Sequence, residues 1–147
     1  MSEENVELVR RAFAVVQDSL RRDDPGAAFD ACVLEGIVAS NLEWRAGMRG
    51  GTGVAGMDDF VGRRGFVEFM RRWTEDFDDF AVEPEEFIDA DNDRVVAITR
   101  QYGTGRGSRA RVEMRTGVVW TLEARRIVRV DLFLEPNEAL KAAGLSE

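Results

Sequence analysis

The spacing of apolar residues changes midway along the chain from a helical period to a strand period. Near the N-terminus, apolar residues recur every three or four positions and make one stripe on a helix: Val6, Val9, Phe13, Val16 and Leu20. From residue 80 onward, apolar and polar residues alternate, as they do in strands with one buried face. Helices that are segregated from a run of antiparallel strands are typical of an α+β fold.

Apolar periodicity and breaker residues set the bounds of the predicted elements. Asp24 should cap a second helix that has Pro25 at its first position. Residues 47–56 are glycine-rich but lack a phosphate-loop lysine, so we expect a loop at the mouth of a pocket. With no internal repeat, residues 1–147 are predicted to form a single domain. Helices are predicted over 2–22, 25–34, 64–76 and 137–143, and strands over 41–45, 80–90, 94–104, 109–122 and 126–134.

The sequence contains no histidine and one cysteine, Cys32, which excludes several classes of active site. Ser-His-Asp and Cys-His catalysis both need a histidine base. A zinc site would have only carboxylates and one thiol as ligands. Acid–base chemistry would have to use Asp, Glu, Tyr, Lys or water. No dinucleotide-type glycine pattern follows a strand, so we expect neither a metal nor a cofactor.

The charge balance limits the partners of the chain. Its net charge is -8, from 20 basic and 28 acidic residues, and an acidic surface repels phosphate backbones. We therefore expect no nucleic-acid partner. The sequence has no apolar run long enough to cross a bilayer, and its acidic N-terminus is unlike a signal peptide. We expect a cytoplasmic protein of a bacterium-like cell, with no membrane partner.

Alternation along the last three strands groups polar residues with apolar ones. If the faces given below meet under the helices, they enclose an apolar cavity with a few polar groups, as in small-molecule sites. Alternatively, Arg129 and Asp131 form a charge pair on the solvent face. Alternation leaves both open, because the intervening residues of the last strand are also apolar. The faces are Val96, Ile98, Arg100 and Tyr102; Val112, Met114, Thr116, Val118 and Trp120; and Ile127, Arg129, Asp131 and Phe133.

Several segments resemble the SnoaL-like branch of the nuclear-transport-factor-2-like superfamily, and together they cover nearly the whole chain. They are ENVELVRR (4–11), LEWR (42–45), VEPEEFID (82–89), VWTL (119–122), IVRVD (127–131) and EALKAAGL (138–145). The resemblance implies a curved, mostly antiparallel sheet that wraps around N-terminal helices as a cone with one pocket. It also implies a homodimer through the sheet. Relatives include polyketide cyclases, ketosteroid isomerases, limonene-type epoxide hydrolases and non-catalytic binders, so the fold does not fix the activity.

The resemblance also implies site residues, and this sequence departs from the pattern at several of them. Asp131 matches the last carboxylate of the epoxide-hydrolase branch and Arg100 matches its arginine, which favours an inward-facing Asp131. Tyr102 stands where that branch has a second aspartate, and Ala46 where it has an asparagine. Trp44 stands where ketosteroid isomerases have their base. Water activation by paired carboxylates is therefore not assembled.

Three hypotheses of function follow. In an isomerase or cyclase of a small apolar carbonyl compound, Asp131 would act as general base, Tyr102 would donate to the enolate oxygen, and Arg100 would fix Asp131 or the substrate. In a non-catalytic binder, the interior must hold a volume that side chains do not fill. In the third, the chain is a dimeric interaction module. The expected ligand-binding residues are Trp44, Trp73, Met114, Trp120, Arg129 and Phe133.

Overall fold

In the computed structural model, which describes residues 2–46, 60–90 and 93–145, helices pack on both faces of a six-stranded sheet. The helices are α1 (Ser2–Arg22), α2 (Pro25–Leu34), α3 (Gly62–Thr74) and α4 (Pro136–Ala142). The strands are β1 (Val38–Arg45), β2 (Phe60–Val61), β3 (Phe77–Asp89), β4 (Arg94–Gly105), β5 (Arg111–Glu123) and β6 (Arg126–Phe133). The predicted α+β class is confirmed. Strand β2 was not predicted, and the predicted loop at 47–56 lies outside the described residues.

The sheet is curved, unclosed and mixed. Its strand order is β2-β1-β6-β5-β4-β3. Strands β1 and β6 pair in parallel, and the other neighbouring pairs are antiparallel. Register shifts interrupt β3 against β4 between Asp78 and Ala81 and between Pro84 and Glu86, and a third lies between Thr121 and Leu122 of β5. Such irregularities bend strands and increase their twist, which helps the sheet to curve around the helices.

Local sequence signals account for the start of α2 and the edge position of β3, and a long-range hydrogen bond joins α1 to β3. The Asp24 carboxylate accepts a hydrogen bond from the Ala27 backbone N–H at 3.2 Å, so the predicted cap of α2 is confirmed. Pro84 lies in β3, which forms one edge of the sheet, where a residue without an N–H is tolerated. The Gln17 side chain donates to the Val82 carbonyl at 2.9 Å and ties α1 to this edge.

Two apolar clusters lie on opposite faces of the sheet. The larger one fills the concave side between the sheet and α1, α2 and α3, and the smaller one lies under α4. Adjacent strand residues therefore belong to different clusters: Val118 faces the concave side, and Val119 faces α4. Because both faces are covered by apolar contacts, apolar side chains alone do not distinguish the inside of the cone from the outside.

Close contact between α4 and β5 depends on Gly117. A methyl group at this position would lie 2.5 Å from the Ala139 Cβ and 3.1 Å from the Pro136 Cα. Neither atom belongs to a flexible side-chain end, so the helix would have to move away from the strand. Gly117 thus allows α4 to cover the outer face of the sheet.

We predict that Gly117→Ala lowers the free energy of unfolding by ~1–3 kcal/mol, because overpacking displaces α4. Thermal denaturation followed by circular dichroism measures the effect. The matched control is Gly107→Ala, because the space around Gly107 is open and the same change should leave Tm unchanged. Equal Tm values for the two variants would show that α4 does not pack on β5 as described.

Candidate functional site

An internal cavity of about 50 Å³ lies between α1, α3 and the concave face of the sheet. A volume of this size holds a few water molecules or part of a small organic molecule. Helix α3 places Phe69, Met70 and Trp73 on one face by their helical spacing. Strands β1 and β5 contribute Trp44 and Trp120, whose rings contact each other. The lining also contains Phe13 and Phe80, so six aromatic side chains surround the cavity.

One side of the cavity is partly open, because the residues that line it there are only half-buried; they lie at the end of α1, in α3 and at the start of β3. They are Val16, Leu20, Trp73, Phe80 and Val82. The Trp73 ring stacks on the Phe69 ring with 5.6 Å between their centroids and 9° between their planes. The rest of the lining is buried. Access for a ligand is therefore expected at this side, where Trp73 is the largest partly exposed group.

A buried hydrogen-bonded network lies in the wall of the cavity. The Trp73 Nε1–H donates to Gln101 Oε1 at 2.9 Å, and Gln101 Nε2 donates to Thr116 Oγ1 at 3.0 Å. The Thr116 and Thr99 hydroxyl oxygens are 2.5 Å apart. Gln101, Thr99 and Thr116 are 3%, 1% and 0% exposed. The network gives an otherwise apolar cavity one polar wall, which lies on β4 and β5.

Two further donors near the cavity have no acceptor in the described part of the chain. The indole nitrogens of Trp44 and Trp120 are fully buried and have no hydrogen-bond partner. The two rings lie 6.0 Å apart with 81° between their planes. A buried N–H without an acceptor is uncommon in folded proteins and calls for a physical reason.

None of the side chains that line the cavity in the described residues is ionisable. The lining consists of aromatic, aliphatic, methionine, threonine and glutamine residues. General acid–base catalysis needs a titratable group within hydrogen-bond reach of the substrate. The described lining supplies hydrogen bonds and apolar contacts, but no such group.

The prediction that Asp131 faces the cavity is wrong. Asp131 opposes Val119 in the pairing of β5 with β6, and Val119 belongs to the cluster under α4. Its carboxylate binds Arg45 Nε at 2.6 Å and Arg129 Nε at 3.1 Å on the outer face. The Asp131 side chain is only 16% exposed. The structure supports the alternative, in which Arg129 and Asp131 form a charge pair on the outer face.

Arg100 and Tyr102 also lie on the outer face, so their predicted place in the cavity is wrong. Arg100 binds Glu113 at 2.6 Å and Glu83 at 2.8 Å, and the Tyr102 hydroxyl donates to Glu83 at 2.7 Å. The inward positions of β4 are the alternate ones, which include Thr99 and Gln101. Arg100 and Tyr102 therefore share Glu83 as a partner, while Asp131 lies two strands away on β6.

The predicted ligand-binding residues divide between the two faces. Trp44, Trp73 and Trp120 line the cavity, as expected. Met114 is half-buried and lies outside the lining. Phe133 packs under α4, and Arg129 binds Asp131 on the outer face, so neither lines the cavity as predicted. Whether any of these residues binds a ligand stays a prediction.

Sequence reasoning missed Gln101 and Thr99, although it placed Thr116 on a cavity face. Val95, Val96, Ala97 and Ile98 are all buried, so this part of β4 shows no alternation that separates its two faces. The sequence pattern instead predicts the cavity face at Arg100, on the charged end of the strand. The available signal was the pair of uncharged polar residues, Thr99 and Gln101, between apolar and charged neighbours.

Other possible reactive groups give no additional site in the described residues. Cys32 is buried, and desolvation raises the pKa of its thiol to about 11, so it carries no reactive thiolate at neutral pH. In these residues, no group of three His, Cys, Asp or Glu side chains is arranged to hold a metal ion. No helix in the same ranges is long and apolar enough to cross a membrane.

Comparison with known proteins identifies the family. The family model of the SnoaL-like domain matches residues 9–130, so the chain belongs to the SnoaL-like family. Among solved structures, it resembles a nuclear-transport-factor-2-like protein of unknown function from Burkholderia pseudomallei. Their sequences are 22% identical, with 96% of this chain and 97% of the other covered and a TM-score of 0.63.

Two other similar structures come from proteins with more specific descriptions. A Jannaschia protein assigned to the SnoaL-like polyketide cyclases is 17% identical over 90% of this chain and 86% of its own, with a TM-score of 0.64. A Catenulispora acidiphila protein with a ketosteroid isomerase-like fold, in complex with trimethylamine, is 12% identical over 91% and 92%, with a TM-score of 0.64. No curated protein matches the sequence. At these identities the comparisons show the fold alone.

We predict that the pKa of Tyr102 lies above its ordinary value of about 10. The hydrogen bond to Glu83 is the main cause, followed by desolvation and the negative charge of Glu83, and Arg100 opposes the shift. Tyr102 is the sole tyrosine of the sequence, so ultraviolet absorbance of tyrosinate during a pH titration reads its pKa directly.

The control for this titration is Glu83→Gln, which removes the charge and should bring the Tyr102 pKa down toward the ordinary value. The titration should be followed by circular dichroism, so that alkaline unfolding is not mistaken for ionisation. A wild-type pKa at or below the ordinary value would contradict the outer-face placement of Tyr102 beside Glu83.

Proposed function

We propose that this chain binds a small, largely apolar molecule in the concave cavity, without general acid–base catalysis by the residues described there. The observation that supports this most directly is an unfilled interior volume lined by aromatic side chains and one buried polar network. Small-molecule sites typically combine apolar walls with a few placed polar groups.

The placement of the charged residues favours binding over catalysis. The described lining contains no ionisable group, and the acidic and basic residues expected to act as catalysts lie on the opposite face of the sheet. Asp131 is held between Arg45 and Arg129, and Arg100 between Glu83 and Glu113. A general base must lie within hydrogen-bond reach of the proton that it abstracts, and none of these residues lines the cavity.

The size of the cavity sets the size of the ligand part that it can hold. About 50 Å³ is a third of the roughly 150 Å³ known for a benzene-binding cavity in another protein, so the cavity holds only part of a ligand of about five non-hydrogen atoms. The rest of such a ligand would lie at the half-buried side of the cavity, beside Trp73. A larger ligand would require Trp73 to turn away from Gln101 and Phe69. The hydrogen bond and the ring stacking of Trp73 oppose that motion, so we expect small ligands to bind without it.

The similar structures agree with a ligand pocket but do not give its occupant. The Catenulispora protein is in complex with trimethylamine, and the Jannaschia protein is assigned to the polyketide cyclases. Both descriptions concern proteins that bind or act on organic molecules within this fold. Function depends on the site rather than on the fold, so the ligand has to be argued from this chain's own residues.

A homodimer through the sheet, expected from the resemblance, stays a prediction. The outer face of β3, β4 and β5 carries ion pairs, among them Arg100 with Glu113 and Arg115 with Glu85. A contact on this face would therefore be partly ionic and should weaken as salt increases.

We predict that Val118→Leu abolishes ligand binding and leaves the unliganded protein at least as stable as the wild type. The added methylene group would project into the cavity, where Val118 is part of the wall. Binding is measured as the increase in Tm caused by neutral compounds of about five non-hydrogen atoms, since a ligand that binds only the folded state raises Tm.

Two control variants identify the site. Val119→Leu makes the same chemical change on the opposite face of β5, under α4, and should keep the ligand-induced shift. Asp131→Asn should also keep it, although the loss of a partly buried ion pair lowers Tm without ligand. If Val118→Leu binds like the wild type, or Asp131→Asn abolishes binding, the concave cavity is not the site.

A further inference from the structure

We infer that the ligand of the cavity is a neutral molecule with a hydrogen-bond-acceptor oxygen, such as a ketone, aldehyde, ester or lactone. This inference rests on the proposed function, because it names the chemical class of the molecule that the cavity binds. It follows from an excess of hydrogen-bond donors over acceptors in and beside the cavity wall.

Two of these donors are indole N–H groups. Trp44 and Trp120 are 7% and 3% exposed, both belong to the cavity lining, and neither nitrogen has an acceptor in the described residues. An indole nitrogen donates and never accepts, so only an acceptor can satisfy it. Leaving such a group buried and unpaired costs free energy in the unliganded protein.

The Gln101 amide supplies a third donor. The indole N–H of Trp73 requires an acceptor, so the amide oxygen of Gln101 must face Trp73, and the NH₂ group faces Thr116. The NH₂ group carries two hydrogens, and one of them is used on Thr116. The other hydrogen has no partner in the described residues. Gln101 lines the cavity and is 3% exposed, so only a molecule inside the cavity can accept this hydrogen bond.

The threonine pair supplies a fourth donor. Thr99 and Thr116 share one hydrogen bond, and only one of their two hydroxyl hydrogens can be used in it. Thr116 accepts from Gln101, which leaves its hydrogen or that of Thr99 without an acceptor. Thr99 belongs to the lining, so a free hydroxyl hydrogen on Thr99 would lie in the cavity wall.

The unpaired donors in the wall therefore favour a ligand with a hydrogen-bond acceptor. The absence of charged side chains from the described lining favours a neutral ligand. No side chain of the described lining is cationic, so a carboxylate would be buried without a counter-charge at high cost. A small alkylammonium is the rival class, because six aromatic side chains could bind a cation through their ring faces. An ammonium ion accepts no hydrogen bond, so it would leave all four donors unsatisfied.

The test compares three probes of similar size and shape. Cyclobutanone carries an acceptor oxygen, methylenecyclobutane replaces that oxygen with a methylene group, and cyclobutylammonium carries a donor cation. The sequence contains three tryptophans, so ¹⁵N–¹H correlation spectra show three indole signals, and Trp73→Phe assigns the signal of Trp73. Titrations of these spectra give both the affinity and the groups that each probe contacts.

We expect cyclobutanone to bind about tenfold more tightly than methylenecyclobutane, because only the ketone satisfies a buried donor. The indole proton of Trp44 or Trp120 should move downfield with the ketone alone. Thr99→Val and Gln101→Met should each reduce the preference for the ketone. The matched control is Thr121→Val, since the Thr121 hydroxyl is also buried without a partner but lies on the face of β5 opposite to Trp120.

Each other outcome identifies the step that fails. Equal affinities for the ketone and the alkene, with the indole signals shifted by both, would leave the cavity as a binding site and overturn the acceptor inference. Tightest binding of cyclobutylammonium would overturn it in favour of cation recognition. If no probe shifts an indole signal, the proposed function itself fails, because the cavity then admits no ligand.

Discussion

The alternation of side chains in β4, β5 and β6, across a sheet with both faces covered, determines on which face the candidate functional groups of these three strands lie. Helices α1, α2 and α3 cover the concave face and α4 covers part of the outer face. Neighbouring residues of a strand thus point to opposite faces: Val118 lines the cavity, and Val119 packs under α4. The same alternation sends Gln101 inward and Arg100 outward, so the chemistry of the site follows from the register of β4.

Charge and hydrogen bonding are thereby separated between the two faces. On the outer face, arginines and carboxylates neutralise each other at positions where water screens them, as with Arg100 between Glu83 and Glu113. In the cavity wall, Trp73, Gln101, Thr116 and Thr99 are uncharged and joined in one hydrogen-bonded network. An uncharged network can be buried at moderate cost, and its unsatisfied donors are the strongest chemical feature of the cavity.

Much of the fold could be predicted from the sequence, because local signals agree with the tertiary structure. The apolar stripe of α1 and the Asp24 cap of α2 are local features, and both elements have their predicted bounds. The site could be predicted only in part. Its tryptophans were expected, but four consecutive buried residues at 95–98 of β4 hide which face is concave. The parallel pairing of β1 with β6 joins segments more than 80 residues apart, which no local pattern specifies.

Ligand binding on the concave side requires that the folded protein leaves the cavity volume unfilled by its own side chains. The most direct test is a crystal structure of the protein under xenon pressure, because xenon enters small apolar cavities. We expect a xenon atom between Trp44, Phe69, Trp73 and Trp120, in contact with the side chain of Gln101. A concave side filled by repacked side chains, with no xenon there, would show that the protein has no cavity for a ligand.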